Sequence, residues 1–202
     1  MRIKWFSLIR ITGLLLVLLY HFFQTIFPGG FFGVDVFFTF SGFLITSLLL
    51  EEFGKKSQID LLGFFKRRFY RIVPPVVLMV LVIMPFTFLV RQDYVAGIGG
   101  QIAGVLGFMT NFYEMLTGGS YESQFIPHLF VHNWSLAVEV HYYILWGLAV
   151  WFLSKQAKSN GQLKGMVFLL SAAAFLISFF SMFIGSLMAS SYSTVYFSSL
   201  TH

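Results

Sequence analysis

Long apolar runs at 11–27, 31–50, 74–90, 98–116, 136–153 and 166–188 constrain this chain more than any other feature. Each approaches the ~20 residues that a helix needs to cross hydrocarbon. The run at 98–116 is the weakest, because Gly99, Gly100, Gly104 and Gly107 interrupt it. Hydrophobic residues make up 57% of the 202 and charged residues only 10%, whereas a soluble domain carries about a quarter. The expected fold is therefore all-α: a polytopic transmembrane helical bundle of about six hydrophobic segments.

Arg2, Lys4 and Arg10 precede the first run as in a signal peptide, yet no small-residue cleavage site follows it. The run reads as a retained span. The absence of cysteine excludes a thiolate nucleophile, a disulfide framework and Cys-ligated metals. The net charge of +5 does not point to nucleic acid, because the basic residues sit between apolar runs. Of the thirteen Lys and Arg, six fall between Lys55 and Arg71 and three more at or before Arg10. Both segments are expected to be cytoplasmic, with two spans between them. Continued counting places Lys155, Lys158 and Lys164 outside, against the rule. Re-entry of the segment between Ile98 and Asn133 would remove that conflict.

Arg10 and His21 frame the first run. Eleven residues at about 100° each bring both onto one helix face, about 16 Å apart along the axis. Arg10 is thus expected at one interface and His21 near the middle of the bilayer, with Tyr20, Gln24 and Thr25 adding polarity. An ionisable group at that depth is expensive and favours a functional role, for an imidazole that of general base. Asp35 enters the second run within Gly33-Val34-Asp35-Val36, where a structural pairing and a catalytic role compete. Gly33 and Gly42 allow close helix approach.

In the basic loop 51–73, Leu61 to Arg71 reads as an amphipathic helix leading into the third span, with Pro74-Pro75 restarting the helix there. Lys66, Arg67, Arg68 and Arg71 serve either as a headgroup anchor or as a site for a phosphorylated ligand. Between His128 and His141, Asn133 or Ser135 is placed to start a helix with Glu139 in its first turns. His132 and Glu139 would share a face if that helix reached back far enough. No acidic residue stands at a convincing metal-ligand spacing from His128 and His132, so no metal is expected. Ser135 lacks the surroundings of a nucleophile elbow.

These motifs together resemble the membrane domain of the acyltransferase 3 family, whose members O-acylate bacterial envelope glycans. The carriers are Arg10-x10-His21, Gly33 to Phe43, Phe65 to Pro74 with its arginines, and Trp134 to Tyr142, in the family's order. The aromatic-rich details are most similar to streptococcal peptidoglycan O-acetyltransferases. The resemblance implies a multi-pass cell-membrane protein with a cytoplasmic N-terminus and no permanently bound cofactor. It implies transfer of an acetyl group from acetyl-CoA to a hydroxyl of an envelope glycan. It makes His21 the central catalytic histidine, Arg10 its motif partner and Glu139 the acidic residue after Trp-Ser-Leu. Arg68 and Arg71, with Arg67 beside them, fall on the donor's phosphate side. Many relatives carry two consecutive glutamates where this chain reads Glu139-Val140-His141. Family domains have about ten spans, often followed by an extracellular domain, so residues 1–202 read as an N-terminal portion lacking the later spans. The competing expectations are a transporter or channel using His21, Asp35 and Glu139, and an inactive remnant of the acyltransferase.

Overall fold

The computed structural model describes residues 4–23, 25–89, 92–117, 128–188 and 198. Gln24 and all but Ser198 of the polar stretch 190–199 lie outside these described residues. The helices are α1 (Lys4–Phe22), α2 (Gly33–Lys56), α3 (Leu61–Ile83), α4 (Ile98–Leu106), α5 (Thr110–Thr117), α6 (Trp134–Gln156) and α7 (Asn160–Met188). Four helical stretches among the described residues, Gly33–Lys56, Leu61–Leu89, Val131–Gln156 and Asn160–Leu187, are long and apolar enough to cross a membrane. Leu8–Phe22 is a shorter apolar helix. The chain is an all-α polytopic membrane bundle. Large apolar side chains such as Phe168, Leu169, Phe175 and Leu187 stand exposed along α7, as a hydrocarbon solvent requires.

The chain divides into two compact units, Met1–Leu49 and Leu50–His202. In the first, α1 stops at Phe22, so the apolar run 11–27 is not one continuous helix. Residues Pro28–Phe32 form a 3-10 turn that folds back along α1. Gly30 sits against Leu16 and Tyr20, where any Cβ would overlap the Leu16 carbonyl oxygen. A Cβ on Gly33 would lie 2.5 Å from the Gly13 carbonyl oxygen. The small residues thus permit backbone contact between α1 and the start of α2, as expected of Gly33.

In the second unit, Asp60 caps α3: its carboxylate accepts from the Gly63 N–H at 2.9 Å. Pro74 and Pro75 lie inside this helix and do not restart it. They remove two backbone donors, and the helix nevertheless continues to Ile83. The fourth apolar run is not a span. It divides into α4 and α5, nine and eight residues long, or about 14 and 12 Å. The turn between them places Phe108 at φ 53°, and Met109 N–H donates to the Gly104 carbonyl at 2.7 Å.

Helices α3 and α6 run antiparallel. Phe64 packs on Gly147, and Arg68 lies over the Tyr143 ring. Farther along α3, Val76 and Val80 form a buried cluster with Val105 and Phe130, against which Leu136 packs. Residue numbers thus fall on α6 as they rise on α3. Gly54 faces Asn160 in the α6–α7 region. Lys155 and Lys158 therefore share the end of this unit that carries Lys55, Lys56 and Lys66. The lysine loop that violated the simple count stands with the other basic residues, because α4 and α5 are too short to add a crossing.

Candidate active site

Within the first unit, Arg10 and His21 both belong to α1, as their spacing predicts. His21 occupies the last turn of that helix, one residue from its end, because the chain turns there instead of running on to Phe27. Its Nδ1–H donates to the Val17 carbonyl at 2.8 Å. A carbonyl can only accept, so Nδ1 is the ring nitrogen that carries a hydrogen here. The imidazole is exposed and meets the Tyr20 ring edge-on, centroids 5.4 Å apart. The Arg10 guanidinium lies 5.2 Å from the centroid of the Phe40 ring in α2. Asp35 is half-buried in the first turn of α2, where the unpaired N–H groups of the helix start favour an anion.

In the second unit, α3 gives its arginines different surroundings. Arg67, itself exposed, reaches the half-buried Glu52 at 3.5 Å, and Arg71 is exposed. Arg68 is half-buried between aromatic faces, 5.6 Å from the Phe64 centroid and 5.7 Å from that of Tyr143. Its Nε is buried and has no hydrogen-bond partner among the described residues. Beside it opens a cavity of about 510 Å³ lined by Phe65, Lys66, Phe69, Val73, Phe108, Val140 and Ile144 among others. An apolar chamber with one partly satisfied guanidinium at its wall suits a ligand that is apolar along most of its length and anionic at one point.

Glu139 lies in the second turn of α6, and the Tyr143 hydroxyl donates to its carboxylate from one turn on. Arg68, Tyr143 and Glu139 form a continuous line of contacts. Tyr143 is the member that the sequence reading missed, although its i+4 spacing from Glu139 was there to find. Asn133 occupies the N-cap position of α6 without capping it; its amide donates instead to the Phe130 carbonyl at 3.2 Å. His132 falls in the preceding 3-10 turn, so it does not share a helix face with Glu139.

A second missed group is Glu114. Its carboxylate is almost fully buried and accepts from His128 Nδ1, at 2.9 and 3.1 Å to its two oxygens. Burial raises the Glu114 carboxyl above its ordinary value, and the bond and charge of His128 pull the other way. Fourteen residues separate the pair, with no helical period to link them. Among the described residues no three His, Asp or Glu come together as a metal site.

The sequence profile of the acyltransferase domain matches residues 3–200, which takes in every motif described above. The chain belongs to the acyltransferase 3 family. It is similar to the O-acetyltransferase OatA of Staphylococcus aureus, 33% identical over 150 residues, 74% of this chain and 25% of the relative. It is also similar to a putative O-acetyltransferase of S. aureus strain COL, 35% identical over 136 residues, 67% of this chain and 22% of the relative. The chain thus spans about a quarter of the length of the curated relatives it matches. No solved structure gives a significant match.

Proposed function

We propose that this chain takes part in moving an acetyl group from cytosolic acetyl-CoA to a hydroxyl of an envelope glycan, with peptidoglycan as the acceptor. The observation that carries the reading is the site around Arg68: an apolar cavity at the basic end of its unit, in a chain of the acyltransferase 3 family. The donor is a long, mostly uncharged arm with phosphates at one end. Arg68 and Arg71 take the phosphate side, with Arg67 next to them, and the cavity takes the arm. The printed names of the relatives, O-acetyltransferases, support acetyl as the group moved.

His21 is the proton-transferring group in this reading, because its imidazole stands exposed in the last turn of α1 with Nδ1–H held by the Val17 carbonyl. Arg10 shares its helix and Asp35 begins the next one. Clustering of basic residues at the Arg68 end supports a cytoplasmic position for that end and, through the same rule, for the N-terminus.

The test uses membranes containing the protein, acetyl-labelled acetyl-CoA and a peptidoglycan acceptor. Donor-dependent label on the acceptor is expected, together with its loss in His21→Ala at equal abundance. Arg68→Lys keeps the charge and loses the planar stack between Phe64 and Tyr143. It should raise the donor KM several-fold and leave kcat nearly unchanged. Label appearing equally with His21→Ala would remove the histidine from the reaction. Solute flux without acetyl transfer would replace the reading with a transporter.

A further inference from the structure

The Glu114–His128 pair lies outside the groups used so far, and its surroundings are built to hold an imidazole still. His128 opens the segment that leads into α6, and the next residues are pinned. Leu129 N–H donates to the Tyr94 carbonyl at 3.1 Å, and Phe130 N–H to Gln101 Oε1 at 3.3 Å. The Gln101 amide nitrogen donates in turn to the Tyr94 and Ala96 carbonyls, at 3.1 and 2.7 Å. Phe130 and Val131 are each only 2% exposed. On its other side, the Tyr113 ring packs against the imidazole with centroids 5.4 Å apart.

Burying a carboxylate is costly unless its lone pairs are used, and here the imidazole uses them. A purely structural staple needs no ionisable partner; an amide would satisfy the same donor. The carboxylate does something an amide cannot, because it stabilises positive charge on the ring it orients. With Nδ1 given to Glu114, Nε2 is the ring atom left for proton exchange, and the histidine side chain keeps 19% of its surface open.

The position of the pair fits a particular partner. Phe130 packs with Val76 and Val80, whereas Arg68 lies eight and twelve residues earlier on α3, about 12 and 18 Å along its axis. His128 is therefore at the end of its unit away from the basic cluster. A phosphorylated donor is drawn to the basic end, and an uncharged hydroxyl acceptor has no reason to approach there.

We propose that Glu114 and His128 form a proton-accepting dyad for the acceptor hydroxyl, with His128 as the base and Glu114 as the residue that positions it. This rests on the acetyltransferase reading and deepens it. The hydroxyl O–H bond breaks as its proton moves to His128 Nε2, and the oxygen forms a bond to the acetyl carbonyl carbon. The bond from that carbon to the donor sulfur breaks with its electron pair, and the departing thiolate takes up the proton that the imidazolium gives back, so the imidazole returns to neutral.

The experiment measures acetyl transfer to the glycan acceptor by the full chain in membranes, per molecule of protein. Glu114→Gln retains an acceptor for Nδ1–H and should preserve the fold. It is expected to lower kcat at least about tenfold, with the donor KM unchanged. His128→Ala should lose about a hundredfold and regain several-fold on addition of free imidazole, which a packing role would not allow. Unchanged rates per molecule in both variants, or losses that follow abundance alone with no imidazole rescue, overturn the proposal and leave the acetyltransferase reading standing. A parent protein that transfers nothing overturns that reading and the dyad with it.

Discussion

The Tyr143 hydroxyl donates a hydrogen bond to the Glu139 carboxylate one helical turn before it. The same ring lies 5.7 Å from the guanidinium carbon of Arg68 on the neighbouring helix. One tyrosine thus bridges an anion on α6 and a cation on α3. It also lines the apolar cavity, so a ligand entering there meets the bridge directly.

Tyr143→Phe separates the two halves of that bridge. The ring and its stacking survive, and the hydrogen bond to the carboxylate is lost. Bonds to charged groups contribute about 1.5–3 kcal/mol, which corresponds to roughly tenfold or more. Acetyl transfer is expected to fall by about that factor while the amount of protein in the membrane holds. Full activity in Tyr143→Phe would reduce Tyr143 to a packing residue.

Much of this arrangement is legible in the sequence for simple reasons. The runs within α3, α6 and α7 are long and mostly apolar, and a helix satisfies such a backbone in hydrocarbon within a single segment. The glycines of 98–116 forecast a weak span, and α4 and α5 are the result. The lysines after α6 signalled that plain counting failed. What stayed hidden depends on contacts distant in sequence. The end of α1 at Phe22 is one such feature, because the residues after it are as apolar as those before. The helix ends there because Gly30 and Gly33 let the chain return against Leu16 and Gly13. Glu114 lies in α5 and His128 outside any helix, fourteen residues on, so no helical period could announce them.

Gly33 gives a stability test in the first unit. A methyl there would sit 2.5 Å from the Gly13 carbonyl oxygen and 2.8 Å from Val17 Cγ2, and the first of these is backbone that cannot swing aside. Gly33→Ala should cost about 1–3 kcal/mol, read as a lower unfolding temperature in detergent. Gly99 in α4 is the control, since a Cβ there meets nothing within 4 Å. Gly99→Ala should be neutral or stabilising by up to ~1 kcal/mol. Equal responses would contradict the close approach of α1 and α2.

Glu114 predicts a pH dependence of stability. Its carboxyl is raised above 4.5, chiefly by burial. The folded protein therefore holds this proton to higher pH than the unfolded chain does. In the window just above the ordinary value, the folded state binds more protons, so stability falls as pH rises and levels off once the folded carboxyl has also ionised. Glu114→Gln removes the titration. Its unfolding temperature should vary less with pH across that window and should gain on the parent at the upper end. Parallel curves for the two proteins would show that burial of Glu114 carries no such penalty.

The antiparallel course of α3 and α6 predicts which loops share a side of the membrane. The chain has no cysteine, so single cysteines can be introduced without removing native ones. Lys55→Cys and Lys158→Cys should react with a membrane-impermeant maleimide from one and the same side, because Gly54 faces Asn160. Ala96→Cys, exposed just before α4 at the other end of the unit, should react only from the opposite side. The lysine substitutions are at exposed positions and should cost little stability. Were Lys158→Cys to label together with Ala96→Cys, the segment 98–133 would have to cross the bilayer. Helices of nine and eight residues cannot do that, and the antiparallel pairing would fail with it.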